Sequence, residues 1–245
     1  MNRRVHLVVL GVIASFLVRC STTGQNCYPH IYLDTRYEIR GTYGASDGPA
    51  GQLTCYHFVS DRDGRIVRID YRKRGQLSPD PFFGVATILI EHSKGHETRI
   101  HLDANGKPAP TDNGVYSVRL TRDERGNTIE WRNLGAGSWL KEAKDSGATI
   151  IRWKYDERGN TVEESYFGAG ERLTAGRNRG VAVVRWKYDE RGNTVEERYL
   201  GIDGQLAEDK RRGVAIVRWQ FDTAGSKITI LFFDSKESLI TESWK

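Results

Sequence analysis

Acidic side chains recur in pairs along the second half of the chain, and paired carboxylates are what glycosidases use for acid and base catalysis. One set comprises Asp189, Glu190, Glu196 and Glu197, and the same residue types stand 33 positions earlier at Asp156, Glu157, Glu163 and Glu164. A catalytic pair has to be unique and partly shielded from water, because only then do its pKa values shift. Repeated copies in a charged segment are typical of turns and ion pairs. The sequence therefore predicts a protein that is not an enzyme.

Three histidines, His92, His96 and His101, are close enough in sequence to raise the question of a metal site. If residues 94 and 95 form a two-residue turn, His92 faces Glu97, while His96 points to the opposite face of the hairpin. His101 would then lie about 13 Å from His92 along the partner strand. This spacing predicts polar strand residues, and no metal or other cofactor is expected.

Tryptophan recurs at the same 33-residue spacing, at Trp153, Trp186 and Trp219. An exposed column of this kind could stack sugar rings of a glycan such as peptidoglycan. The same spacing also suits a buried seam between neighbouring structural units. Because aromatic side chains dominate core energetics, burial is the favoured interpretation. The glycan-stacking role stays open as the alternative.

The N-terminus has the pattern of an export signal. Arg3 and Arg4 precede an apolar run, Val5–Val18, which is shorter than the roughly 20 residues that a membrane-spanning helix needs. The run leads into "LVRC", which ends at Cys20 and resembles the lipobox of bacterial lipoproteins, where the Cys becomes the acylated first residue. Arg19 stands where a lipobox has a small residue. A soluble exported form or an uncleaved anchor is therefore the alternative to lipidation at Cys20.

The lipobox resemblance implies a location. Residues 1–19 are expected to be the signal peptide and residues 20–30 a polar tether. Ser21, rather than an Asp, follows the Cys and favours sorting to the outer membrane of a Gram-negative cell. The expected protein is an outer-membrane lipoprotein that faces the periplasm or the cell surface, with the membrane as one partner through the lipid.

The remaining cysteines agree with export. When Cys20 carries lipid, Cys27 and Cys55 are left, and an even pair in an oxidising compartment is most simply a disulfide. Two unpaired thiols are the alternative, because sequence does not establish proximity.

The positive charge of the chain gives no support to nucleic-acid binding. The formal net charge is +5, but Arg3, Arg4 and Arg19 belong to the signal segment. A chain that begins at Cys20 carries 34 basic and 32 acidic residues, and the two signs alternate along the sequence. No basic patch results, so no nucleic-acid partner is expected.

An internal repeat of 33 residues explains most of the patterns above. Its clearest copies are the identical segments Arg152–Glu164 and Arg185–Glu197, each reading "RWKYDERGNTVEE". Weaker copies occur around Asn127 and Ser226, and shorter ones begin at Gly84 and near Asp61. About six degenerate units therefore fill most of the mature chain.

Each unit has the pattern of a β-hairpin. Apolar and polar residues alternate on the first strand, and "DERGN" has the chemistry of a type I turn closed by a bulge. Opposite charges of the two strands would face each other on one side, with the aromatic residues on the other side. The sequence predicts an all-β fold of tandem antiparallel β-hairpin repeats that form an extended or solenoid-like sheet. Residues 31–83 would be a divergent N-terminal β region and residues 84–245 the repeat array.

"YDERGN", followed by a hydrophobic and acidic strand and a "G-x-D-G" turn, resembles the Tyr-Asp repeats of bacterial Rhs-type surface proteins and, more loosely, MORN hairpin repeats. The resemblance covers Gly84 to the C-terminus and implies repeat architecture. The leading functional hypothesis is an exported β-repeat protein that presents a surface to an envelope protein or a glycan. A structural envelope scaffold is the second hypothesis, and an enzyme of cell-wall metabolism is the third.

Overall fold

The computed structural model describes residues 27–42, 54–222 and 226–244, and these residues are all-β. Cys20, the expected signal peptide and most of the expected tether lie outside this range. The strands are β1 (Cys27–Tyr28), β2 (His30–Leu33), β3 (Ile39–Thr42), β4 (Cys55–Ser60), β5 (Ile66–Lys73), β6 (Gln76–Leu77), β7 (Thr87–Ser93), β8 (His96–Leu102), β9 (Ser117–Arg122), β10 (Thr128–Leu134), β11 (Ile150–Tyr155), β12 (Thr161–Phe167), β13 (Val183–Tyr188), β14 (Thr194–Leu200), β15 (Ile216–Phe221), β16 (Lys227–Phe233) and β17 (Leu239–Trp244).

Fifteen of these strands form one antiparallel sheet. Its order follows the chain from β4 to β17, with β1 added beside β4, β6 beside β5, and β2 and β3 paired in a separate hairpin. From β7 to β17 each strand pairs with the next one along the chain, so this part of the sheet is a continuous meander of hairpins. The predicted all-β hairpin-repeat fold is confirmed. None of the described segments forms a helix long and apolar enough to cross a membrane.

The "DERGN" turns have the predicted geometry. In one unit the Asp156 carboxylate accepts hydrogen bonds from the backbone N–H groups of Arg158 and Asn160, at 3.0 and 2.8 Å. Gly159 has φ +86°, a left-handed conformation that glycine adopts without steric cost. The strand register then shifts between Lys154 and Tyr155, which is the bulge that closes such a turn.

The two faces of the sheet differ in chemistry. One face carries Trp153, Trp186 and Trp219 and a core of buried apolar side chains, for example Val184 and Tyr199, both fully buried. This is called the aromatic face below. The opposite face carries rows of Arg, Lys and Glu that form ion pairs between strands. The period of two along each strand produces this division.

The β2–β3 hairpin lies across the aromatic face, from β4 to β11. Ile39 packs into a cluster with Tyr56 and Ile88, while Tyr37 at the hairpin turn contacts the rings of Trp131 and Trp153. This hairpin is called the cover hairpin below. Most of it lies in the range expected to be a divergent N-terminal β region, and it forms a separate two-stranded sheet that packs on the large one.

The ordered sheet begins inside the range assigned to a tether. Cys27 and Tyr28 pair with His57 and Tyr56 of β4, and Cys27 forms a disulfide with Cys55 at a Cα–Cα distance of 5.5 Å. β1 has only two residues and no strong sequence pattern, so composition alone suggested a tether over this segment. The covalent link holds these two residues beside β4.

Candidate functional site

The ion pairs opposite the aromatic face form a ladder that joins successive hairpins. Glu130, Glu163 and Glu196, spaced by 33 residues, each bind at least one cation of their own hairpin and one Arg of the next. The Arg contributed by the next hairpin is Arg152, Arg185 or Arg218. Each copy of the repeat therefore matches the charges of both neighbouring hairpins.

These carboxylates are held in the ionised form. Burial acts to raise the pKa of Glu196, but hydrogen bonds from Arg198, Arg218 and Lys187 outweigh burial and lower its pKa from 4.5 to about 2. Burial and two basic neighbours act in the same way on Glu163, whose pKa is also lowered. A carboxylate whose acceptors are occupied by cations is poorly suited to proton transfer at neutral pH.

The second Glu of each pair lies on the other face of the sheet. Glu164 accepts hydrogen bonds from the Nε1–H of Trp153, at 2.8 Å, and from the hydroxyl of Tyr166. The expectation that opposite charges of the two strands face each other on one side therefore holds for Glu163 and not for Glu164. Consecutive strand residues point to opposite faces, so Glu163 and Glu164 cannot act as one carboxylate pair.

The tryptophan column is not uniform. Trp153 is only 5% exposed, and its ring lies 4.5 Å from that of Tyr37 in the cover hairpin. An external ligand therefore has little access to the face of Trp153. Trp186 and Trp219 are half-buried and pack beside Val184 and Val217 in the core of the aromatic face. The structure thus leaves the glycan-stacking alternative to Trp186 and Trp219.

Both of these tryptophans wall shallow depressions at the edge of the sheet that carries the "DERGN" turns. Three equivalent turn-edge depressions follow one another, with volumes of about 310, 430 and 400 Å³. The first includes Trp153, the second Trp186 and the third Trp219. All nine lining residues of the second depression recur by type in at least one of the others: Asp156, Arg158, Asn160, Val162, Trp186, Lys187, Tyr188, Asp189 and Glu190.

Hydrogen bonds between units fix the shape of these depressions. The Tyr155 hydroxyl donates to the carbonyl oxygen of Thr128, and the Tyr188 hydroxyl to that of Thr161, both at 2.7 Å. The guanidinium of Arg158 donates to the carbonyl of Glu190 in the following turn, at 2.5 Å. The Tyr and the Arg recur at the same positions of successive units, so the sequence shows the repetition. Only the structure shows that these side chains bind the neighbouring unit.

The arrangement of groups in each depression suits a hydroxyl-rich ligand. An aromatic ring offers a flat apolar wall, and turn residues such as Asn160 and Glu190 supply hydrogen-bonding groups beside it. Equivalent points on successive hairpins are two strands apart, which corresponds to about 10 Å. A ligand that spans several depressions would therefore meet the same chemistry at a regular interval.

The histidines lie where the turn geometry placed them. His92 is directly opposite Glu97 and Ser93 is opposite His96, as expected for a two-residue turn at 94–95. His101 is buried, and its Nδ1 lies 3.0 Å from the carbonyl oxygen of Val115. Within the described ranges, no group of three or more metal-ligating side chains is arranged to hold an ion.

Comparison with known proteins gives similarity only at the level of fold. No protein-family profile matches the chain, and no curated protein matches it. Among solved structures, the crystal structure of TcdB2-TccC3 without its hypervariable C-terminal region is 17% identical over 78% of this chain, with a TM-score of 0.36. The crystal structures of TcdB2-TccC3 and of TcdB2-TccC3-Cdc42 are 16% and 15% identical, with TM-scores of 0.37 and 0.36. The matched region spans 9% of each of those chains.

Proposed function

We propose that this chain is an exported, lipid-anchored protein of the bacterial envelope that binds a glycan strand along its turn edge and does not catalyse a reaction. The observation that carries the proposal is the series of turn-edge depressions, in which the accessible rings of Trp186 and Trp219 form walls in register with the 33-residue unit. A repeated site matches a repeated ligand, and a polysaccharide is the repeated ligand that combines flat apolar ring faces with hydroxyl groups.

The affinity of such a surface would come from several weak sites. A single shallow depression buries little of a sugar, so each contact alone would be weak. When one glycan chain occupies neighbouring depressions, the second contact forms at a high effective concentration and the overall affinity rises. The inter-unit hydrogen bonds of Tyr188 and Arg158 favour this behaviour, because they hold the depressions at a fixed separation.

The ion pairs support the non-catalytic part of the proposal. The repeated carboxylates on the charged face, including Glu163 and Glu196, are bonded to several cations, and their pKa values are lowered. An acid–base catalyst of glycan cleavage needs one carboxyl group with a raised pKa. The repeat therefore supplies stabilising charges rather than a protonated acid at neutral pH.

Export is supported by the N-terminal pattern and by the disulfide. The basic and apolar segment before Cys20 is typical of a signal peptide, and the Cys27–Cys55 disulfide suits an oxidising compartment. A lipid on Cys20 would place the sheet a few residues from the membrane, since β1 begins at Cys27.

Replacement of the two accessible tryptophans should weaken glycan binding. We expect Trp186→Ala and Trp219→Ala each to weaken binding to purified peptidoglycan by about two- to tenfold, because one aromatic contact contributes about 0.5–1.5 kcal/mol. The double variant should lose more than either single variant, as a multivalent surface does. Pull-down with insoluble sacculi, followed by quantification of bound protein, measures the effect.

Trp139→Ala is the matched control, because Trp139 is 67% exposed and lines none of the three depressions. It should bind like the wild type. Retention that is unchanged in the double variant would contradict the proposal. If the folded wild-type protein shows no retention on peptidoglycan or other β-linked polysaccharides, the scaffold hypothesis is preferred.

The lipid anchor is tested separately. Radiolabelled palmitate should enter the wild-type protein expressed in a Gram-negative host, and the Cys20→Ser variant should lose the label, since the acyl chains are attached to this residue. Wild-type protein that stays unlabelled and has its mature N-terminus elsewhere would refute the anchor.

A further inference from the structure

The cover hairpin is packed against the sheet on only half of its inner face. Leu33 and Ile39 are directly opposite each other in β2 and β3, so their side chains point to the same side. Ile39 is 6% exposed and lies in the core, whereas Leu33 is 43% exposed. A leucine on the inner face of a packed hairpin stays exposed only when the space beneath it is open.

That space is a cavity of about 290 Å³ between the cover hairpin and the aromatic face. Its walls are mainly apolar and include Ile39, Ile88, Val118, Trp131 and Ala143. Its exposed lining residues, which mark the mouth, include Leu33, Tyr32 and Asp145. An apolar cavity with a few polar groups is the usual form of a small-molecule site.

One cation lies at the wall of this cavity. The Arg99 side chain is 4% exposed, and it donates from Nε to Glu97 at 2.6 Å and from Nη2 to the carbonyl of Tyr37 at 2.5 Å. Its Nη1 has no hydrogen-bond partner among the residues that the structure describes. Glu97 also pairs with Arg122, at 3.3 Å, so one carboxylate is shared by two guanidinium groups.

Other charged groups near Arg99 are engaged elsewhere. Glu38, in the cover hairpin, forms an ion pair with Arg40, and Asp145 at the mouth accepts a hydrogen bond from Asn113. His101 also lines the cavity, where burial, partly offset by its bond to the Val115 carbonyl, lowers its pKa, so the ring is neutral at physiological pH. Arg99 is therefore the cation that a ligand inside the cavity would meet.

We propose that the cavity under the cover hairpin binds a small, mainly apolar carboxylate, whose charged group contacts Arg99 and whose body lies against Trp131 and Val118. The volume supports a bicyclic aromatic ligand, since a cavity of about 150 Å³ holds benzene and this one is nearly twice as large. Guanidinium and carboxylate groups form strong charge-assisted hydrogen bonds when water is excluded. This site is independent of glycan binding at the turn edge.

Calorimetric titration of the full exported protein with naphthalene-2-carboxylate tests the proposal. The matched neutral probe, naphthalene-2-carboxamide, has the same apolar body and no charge. We expect the carboxylate to bind at least about tenfold more tightly than the amide, because a hydrogen bond to a charged group is lost in the amide. Equal affinity for both probes, or no binding of the carboxylate, would overturn the proposal.

Two variants at the mouth keep the test specific without disturbing the core. Leu33→Asp and Leu33→Lys remove the same apolar side chain, but they place opposite charges at the entrance. Leu33→Asp should weaken carboxylate binding by more than Leu33→Lys, and both proteins should unfold at temperatures close to that of the wild type.

A third variant, Ala143→Leu, fills part of the cavity and should abolish binding. If the carboxylate binds equally well to all three variants, the ligand is elsewhere and the proposal is wrong.

Discussion

Trp153→Ala should lower the free energy of unfolding by about 3–5 kcal/mol, which is the range for truncation of a buried large side chain. Trp153 is 5% exposed, stacks with Tyr37 of the cover hairpin and donates its Nε1–H to Glu164. The substitution removes the apolar contacts on both sides and leaves the Glu164 carboxylate with one donor fewer in a partly buried site. Urea-induced unfolding followed by circular dichroism measures the change.

Trp186→Ala is the matched comparison, because the sequence around Trp186 is identical to that around Trp153. Trp186 is half-buried and has no ring contact of the kind that Tyr37 makes with Trp153 in the described part of the chain. We expect it to cost about 1–2 kcal/mol, since less surface returns to water on unfolding. Equal losses for the two variants would contradict the stabilising role assigned to the cover hairpin.

The local structure of the repeat could be predicted because short-range rules determine it. "DERGN" specifies its own turn, through an Asp carboxylate that binds the following N–H groups and a Gly at positive φ. The period of two then assigns the residues of each strand to the two faces. The same rules placed His92 opposite Glu97, since a two-residue turn leaves only one register.

The environment of each copy could not be predicted from the repeat. Trp153 and Trp186 have the same neighbours along the chain, yet only Trp153 lies under Tyr37, which comes from a segment outside the repeat. A contact between residues more than 100 positions apart leaves no periodic pattern in a single sequence. The expectation that the two tryptophans are equivalent followed from the repeat and does not hold in the structure.

One residue next to each repeat also changes the chemistry of the second glutamate. Gly147 and Gly180 occupy the same position in successive units. The residue before this Gly is Ser146 in one unit and Arg179 in the next. Arg179 lies over the ring of Tyr199 and contacts Glu197, whereas in the preceding unit Glu164 accepts from Trp153. The sequence shows this difference between the units. Its effect on Glu197 depends on which face of the sheet the loop with Arg179 lies over, and only the structure shows that.

The turn-edge depressions were only partly predictable. The tryptophans and the turn residues each repeat every 33 positions in the sequence. The alternation of side chains along a strand then predicts on which face of the sheet each strand residue lies. Their meeting at one edge depends on contacts between units, such as the hydrogen bond from the Tyr155 hydroxyl to the carbonyl of Thr128. A contact of this kind leaves no trace in the hydrophobic pattern of a single unit.

Loss of the disulfide should destabilise the protein by about 3–4 kcal/mol, through the entropy of the loop that it closes. Cys27 and Cys55 are 28 positions apart, and the loop between them carries the whole cover hairpin. When the link is absent, an unfolded chain gains conformational freedom, and the hairpin is held only by its contacts with residues such as Trp153. The double variant Cys27→Ser/Cys55→Ser, compared with the wild type in urea, measures the loss.

The same variant also tests how the disulfide and the aromatic face are connected. If the hairpin detaches in part of the molecules, Trp153 becomes accessible, and its fluorescence should shift to longer wavelength and be quenched by iodide. A Trp139→Phe background removes the signal of Trp139, which is 67% exposed in the native protein. Alkylation of the wild type should label Cys27 and Cys55 only after reduction, and equal labelling before and after reduction would show that the bond does not form.

An unfolding free energy that is unchanged in the double variant would mean that the β2–β3 contacts alone hold the hairpin in place, and that the covalent link contributes nothing to its position.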